Sequence, residues 1–278
     1  MAKNIVYYFT GTGNSLAVAK SIARELPECL VVSMLCKDAL RYINTNTDRI
    51  GFVFPIYMNA VPKVVVQFME TLTQMPTTYC FAVATHGGVP GMSGLYLNKV
   101  LKKQGIHLAG YFEVKMINNT PKGVAPKFLM SLNWEMDITP DIVEKTLSEA
   151  QVMLEDSIEI IIRKETTVLQ NIPTGIGRVN YWLMGLVWYI SSHTRHKLEF
   201  VLDREACTGC ETCSHICPTQ RIVMEGSKPN WIHEKCYFCY ACFNYCHAQA
   251  IGVEHYTKSL GRYHHPDCSA EDIARQSM

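Results

Sequence analysis

Apolar and polar positions alternate along the first half of the chain with two periods. Asn4–Phe9 is a short apolar run rich in β-formers. Leu30–Leu35, Ile50–Phe54, Tyr79–Thr85 and Tyr111–Ile117 have the same character, so five buried strands are predicted. Between them the period lengthens. Asn14–Leu26 carries Leu16, Ala19, Ala23 and Leu26 on one stripe and stops before Pro27. Val61–Leu72 is opened by Pro62, and Leu95–Gln104 is closed by Gly105. Strands that alternate with helices predict a parallel sheet covered on both faces. Residues 118–138 show neither period. Thr139-Pro140 then opens a long helix, with Val143, Leu147, Ala150, Leu154, Ile158 and Ile161 along one face. That helix is expected to complete a first domain, 1–165. Residues 166–199, with Trp182 and Trp188, form a packed helical connector. Residues 200–255 form a second domain and 256–278 a polar tail.

Composition narrows the possibilities. The chain has 278 residues, 48% of them hydrophobic, enough for a sizeable core, and a formal net charge of +1. That charge offers no electrostatic footprint for nucleic acid. The first apolar run is too short for a signal-peptide core, so a cytoplasmic location is expected. The longest apolar stretch, Tyr181–Ile190, falls short of the ~20 residues of a membrane span.

Cysteine changes the picture most. Eight of twelve fall between Cys207 and Cys246. Cys207-Thr-Gly-Cys210-Glu-Thr-Cys213-Ser-His-Ile-Cys217-Pro218 has the spacing C-x2-C-x2-C-x3-C. Cys236, Cys239, Cys242 and Cys246 repeat it 29 residues later. Three thiolates on one tight turn cap three irons of a cubane, and the fourth iron takes a distant thiolate. Structural zinc sites use paired CxxC units instead, so the tandem triplets point to iron–sulfur chemistry. In a two-cluster arrangement the fourth cysteine of each run serves the other cluster. One set is then Cys207, Cys210, Cys213 and Cys246, and the other Cys236, Cys239, Cys242 and Cys217. This stretch resembles the bacterial-type two-[4Fe-4S] ferredoxin domain. It departs from that pattern at His247, where a proline would follow the second run. Cys29, Cys36, Cys80 and Cys268 lie outside the motif. Cys80 reads as a small buried apolar residue and Cys268 as a free thiol in the tail.

A second motif follows the first strand: Thr10-Gly11-Thr12-Gly13-Asn14-Ser15. Glycines bring backbone N–H groups close to an anion, the hydroxyls add donors, and a helix N-terminus follows. The third glycine of a dinucleotide fingerprint is replaced by Leu16, and no Gly-Lys-Ser/Thr triplet occurs. The loop resembles the phosphate loop of flavodoxins. In that fold two further segments, beyond the third and fourth strands, hold the flavin ring: Pro55-Ile56-Tyr57-Met58-Asn59-Ala60 and Thr85-His86-Gly87-Gly88. There Tyr57 could stack on the ring, Asn59 could bond its edge, and the glycines could admit the backbone.

Together the segments resemble the ferredoxin-fused flavodoxin-like proteins of anaerobic bacteria, the EFR1-type ferrodoxin family. The resemblance implies an α/β flavodoxin-like doubly wound five-stranded parallel sheet joined to a small α+β ferredoxin domain. It implies FMN and two [4Fe-4S] clusters that pass single electrons between them, with a redox partner protein as donor or acceptor. Two other functions fit the same motifs. One is an FMN-dependent reductase of a small electrophile (a quinone, nitro compound or activated alkene), whose pocket Trp182, Met184, Trp188 and Tyr189 could wall. The other is a non-enzymatic redox sensor. No catalytic residue is assigned.

Overall fold

The computed structural model describes residues 2–57, 60–75, 77–88, 90–121, 138–167, 200–253 and 261–277. Met58, Asn59, the connector tryptophans, Met184, Tyr189 and most of 118–138 lie outside these residues.

The amino-terminal part is a five-stranded sheet of β1 (Asn4–Tyr8), β2 (Cys29–Ser33), β3 (Arg49–Pro55), β4 (Tyr79–His86) and β5 (Leu108–Lys115). Its order is β2-β1-β3-β4-β5 and every pairing is parallel. This is the doubly wound order of the flavodoxin fold, with its switch point between β1 and β3. Alternate residues of β1 feed opposite cores. Ile5, Tyr7 and Phe9 pack with α2 (Lys63–Glu70) and α3 (Ser93–Lys103). Val6 and Tyr8 pack with α1 (Asn14–Glu25) and α4 (Pro140–Arg163). A strand buried on both faces must be apolar throughout, which is why β1 shows no alternation.

The long helix starts where the sequence indicates. Thr139 accepts a hydrogen bond from the Ile142 N–H, Pro140 fills the first turn, and Lys164 ends the helix in a left-handed cap. Two strand boundaries move. β2 stops at Ser33 because the Ser33 hydroxyl accepts the Leu35 N–H. β5 begins earlier than the apolar run suggests, at Leu108. Leu108 and Ala109 are buried beside β4, where the register slips between Cys80 and Phe81.

The carboxy-terminal part has two antiparallel pairs. β6 (Phe200–Leu202) pairs with β9 (Ile251–Val253). β7 (Ile222–Glu225) pairs with β8 (Lys228–Trp231) through a tight turn at Gly226. Two single-turn helices, α5 (Thr212–His215) and α6 (Ala241–Asn244), follow the first cysteines of each run. The sequence repeat is a backbone repeat. Left-handed residues stand at Gly209, Glu211 and Gln220, and again at Phe238, Tyr240 and Gln249. Residues 261–277 return to the sheet and end in α7 (Ala270–Ala274), whose Ser269 and Asp272 form a capping box. Ile216, Cys239, Ala241, Tyr245 and Ile273 join the same apolar cluster as β1, β3 and α2. Both parts of the chain therefore share one core. Among the described residues, no helix is long and apolar enough to cross a membrane.

Candidate functional site

The stretch Thr10–Ser15 runs from the end of β1 into the first residues of α1, and all of its residues are buried. Gly13 is the N-cap of α1 with φ 98°, a conformation that glycine adopts without steric cost. The Gly13 N–H donates to Thr10 Oγ1 at 3.1 Å, and Thr12 Oγ1 accepts from the Asn119 amide. Each threonine hydroxyl has accepted one bond and keeps its own O–H to donate. Ser15 Oγ lies 2.8 Å from Thr85 Oγ1, so the loop and the end of β4 meet.

The other two predicted segments converge beside it. Pro55 ends β3, and the Ile56 N–H donates to Thr85 O at 2.8 Å. Tyr57 and Ala60 close a small turn by exchanging backbone hydrogen bonds. Tyr57 Oη is buried with no hydrogen-bond partner among the described residues, and burial pushes its pKa well above its ordinary value. His86 Nδ1 lies 2.6 Å from Gly88 O, and burial lowers the His86 pKa. A side chain at Gly87 would strike Asn118, whereas Gly88 faces open space.

A Cβ at Gly11 would run into the Cys239 carbonyl oxygen and would stand 2.5 Å from Tyr57 Oη. Loop, tyrosine and second cysteine run therefore meet at one point. Phe9 packs edge-on to both Tyr57 (6.3 Å) and Tyr237 (5.9 Å). The donor set here is neutral: hydroxyls, backbone N–H groups and an orphaned phenol, with no cation in the loop. That chemistry fits a phosphate monoester, whose oxygens only accept.

The cysteines fall into two groups. Cys207, Cys210, Cys213 and, from the other run, Cys246 line one cavity, together with Met224, Pro229 and Ile251. Burial, then Cys246 and Cys210, push the Cys213 thiol up to about 11, whereas the Thr212 hydroxyl lowers that of the exposed Cys210. In the second group, burial and then Cys239, Cys236 and Cys217 raise the Cys242 thiol well above its ordinary value. Cys239 itself is buried and pushed up to about 12. Backbone N–H groups already aim at sulfur: Phe238 donates to Cys236 Sγ and Ala250 to Cys246 Sγ, both at 3.3 Å. Among the described residues no three of these side chains stand close enough together to hold a single metal ion; thiols at this spacing, with N–H groups turned towards Cys236 and Cys246, are the donor chemistry of an iron–sulfur cluster.

Sequence reasoning missed the residues that seal the loop. Gln276 Oε1 accepts from the Thr10 N–H (3.2 Å), and the Ser33 hydroxyl donates to Gln276 O (2.6 Å). Tyr263 Oη donates to Asn14 Oδ1 (3.0 Å), and the His265 N–H to Thr12 O (2.8 Å). Cys268 is the free thiol expected, but a buried one. It is 1% exposed, and its Sγ donates to Gly13 O at 3.4 Å. One signal for this packing was readable, because Ser269-Ala-Glu-Asp272 is a helix-start pattern inside the supposed tail.

Comparison with known proteins agrees with both halves. A flavodoxin domain model matches residues 5–136 and a 4Fe-4S dicluster domain model matches residues 199–247. Among solved structures, a flavoprotein from Lactobacillus acidophilus NCFM in complex with FMN is 13% identical. The match covers 41% of this chain and 93% of that one, with a TM-score of 0.32. A flavodoxin from Streptococcus pneumonia TIGR4 is 17% identical over 40% of this chain and 81% of its own, with a TM-score of 0.33. A short-chain flavodoxin associated with a bacterial microcompartment is 14% identical over 56% and 99%, with a TM-score of 0.36. No curated protein matches the chain.

Proposed function

Because the chain is a flavodoxin–ferredoxin fusion, and so a protein of flavin and iron–sulfur electron transfer, we propose that it carries two [4Fe-4S] clusters. In this reading they exchange single electrons with FMN held in the same chain. Cys207, Cys210, Cys213 and Cys246 hold one cluster, and Cys236, Cys239, Cys242 and Cys217 the other. Thr10–Ser15 hold the phosphate of FMN, and the segments 55–60 and 85–88 flank its ring. When bound, the clusters supply one-electron carriers, and the flavin supplies a group that accepts one or two electrons.

The residues of the chain have definite work in this scheme. Gly11 lets the Cys239 carbonyl touch the phosphate loop, so one cysteine group abuts the flavin side with no solvent layer between them. Phe9, Tyr57 and Tyr237 exclude water from that junction. The crosswise fourth cysteines tie the two groups together, so neither can shift without the other. The group containing the exposed Cys210 is the one open to an external redox partner. The single observation that carries the reading is the contact between Cys239 and Gly11. A ferredoxin domain on a loose tether would need no such fit.

The test is an anaerobic preparation assayed for iron and flavin, followed by a potentiometric titration read by EPR and visible absorbance. Eight irons and one FMN per chain, with two cluster couples and a flavin couple, are expected. A sample with four irons sinks the two-cluster assignment. A cluster-loaded sample without FMN would instead support a flavin-independent sensor. Turnover of quinones or nitro compounds faster than by free FMN would favour the reductase.

A further inference from the structure

One cation beside the cysteines has no task in the scheme above. Arg221 immediately precedes β7 and sits between the two halves of the second cysteine group. It follows Cys217 closely in sequence, and its carbonyl accepts the Ile232 N–H (3.0 Å), which leads into Cys236. Its guanidinium carbon lies 5.9 Å from the centre of the Phe200 ring, which stacks on Trp231. Phe200, itself backed by Trp231, flanks the guanidinium on one side. Arg221 Nε is buried, and among the described residues no atom accepts its hydrogen. The Arg221 guanidinium interacts with the Cys236 thiol, at which the Phe238 N–H also points from 3.3 Å.

A buried N–H without an acceptor is destabilising, more so when the group is charged. It is tolerated where something accepts it. Beside four thiolates the natural acceptor is a cluster sulfur, because hydrogen bonds to sulfur and local charge both set cluster potential. The contrast with the other group is informative. There the nearby cation, Lys228, spends its donors on the Arg204 and Cys207 carbonyls.

Resting on the two-cluster reading, we propose that Arg221 is a positioning residue for the cluster held by Cys236, Cys239, Cys242 and Cys217, donating from Nε to a sulfur of that cluster and making it easier to reduce. The need is physical. Reduction adds one negative charge to the cluster. Burial against the flavodoxin domain penalises that charge, so without a cation electrons would remain on the exposed cluster. Arg221 offsets the penalty at the cluster that faces the flavin.

The experiment compares wild type, Arg221→Gln and Arg221→Lys by iron analysis and EPR-monitored redox titration. In Arg221→Gln one cluster couple should become about tenfold harder to reduce, a shift of about 59 mV for one electron, while the other couple stays in place. Arg221→Lys keeps the charge and moves the donor, so its shift should be smaller. Eight irons with both couples unmoved in Arg221→Gln would overturn the proposal. Four irons in wild type would instead overturn the two-cluster reading beneath it. If Arg221→Gln fails to fold, wild type labelled with 15N-arginine decides. A weak nitrogen coupling to the reduced cluster, lost in Arg221→Lys, supports the proposal, and its absence in wild type refutes it.

Discussion

Single residues show how the same backbone is built twice from different side chains. Gly209 and Phe238 occupy equivalent places in the two cysteine runs, and both are left-handed, at φ 73° and 54°. The first run uses the residue that pays nothing for this conformation. The second holds a bulky aromatic there, at a cost of about 1–2 kcal/mol. The reason lies in the ligand turn: the positive φ directs the Phe238 N–H at Cys236 Sγ. Gly209 has a further constraint, because a Cβ would stand 2.8 Å from the Ser227 carbonyl oxygen. Gly209→Ala should therefore lower stability by at least ~1 kcal/mol and reduce the iron retained. Phe238→Gly should leave the iron content unchanged. Iron per chain and denaturant midpoints of the two variants, side by side, check this.

At the scale of elements, the segment 261–277 behaves as a clamp on the loop Thr10–Ser15. Its grip includes a titratable group. His265 Nδ1 accepts the Asp267 N–H at 3.2 Å, so the neutral ring is the form the fold uses. Burial lowers the His265 pKa below its ordinary 6.5; Asp267 opposes this shift, and His264 and Lys20 add to it. The unfolded segment therefore binds the proton more readily than the folded one. Stability contributed by this group is present above pH 6.5 and is lost as pH falls through that value towards the lower folded pKa. Hydrogen exchange over residues 261–277 should accelerate between pH 7.5 and pH 5.5 beyond its intrinsic pH dependence. His265→Gln should abolish the excess. An excess that survives in His265→Gln would show that another group governs the clamp.

The whole molecule is held together at Gly11. One hydrogen atom there separates the loop Thr10–Ser15 from the Cys239 carbonyl and from Tyr57 Oη. The core runs through this contact, with Cys239, Ala241 and Tyr245 beside residues of the sheet. Gly11→Ala must push the two parts of the chain apart or distort the loop, because backbone cannot yield as a flexible side chain does. Binding of FMN should weaken by at least tenfold, and electron exchange between cluster and flavin should slow. Flavin fluorescence during dialysis and stopped-flow reduction measure the two effects separately. Unchanged values for both would mean that the contact serves packing alone.

The sequence by itself marked the elements and the motifs. Periodicity marked the five strands, α1 and α4, because a strand buried on both faces and an amphipathic helix each leave a local pattern. Spacing marked the eight cysteines, because a cubane imposes its geometry on a short run of chain. The loop Thr10–Ser15 was legible for the same reason, since turn, donors and helix start are contiguous. Only the tertiary structure decided what those local features face. No period indicates that Cys239 touches Gly11, that Gln276 caps the Thr10 N–H, or that the supposed tail buries Cys268. These contacts join residues more than two hundred positions apart, and they exist because both parts of the chain bury apolar surface against one sheet. The same holds for Arg221, an ordinary charge in the sequence, whose buried Nε, without an acceptor among the described residues, becomes visible only once the chain has packed Phe200 against its guanidinium.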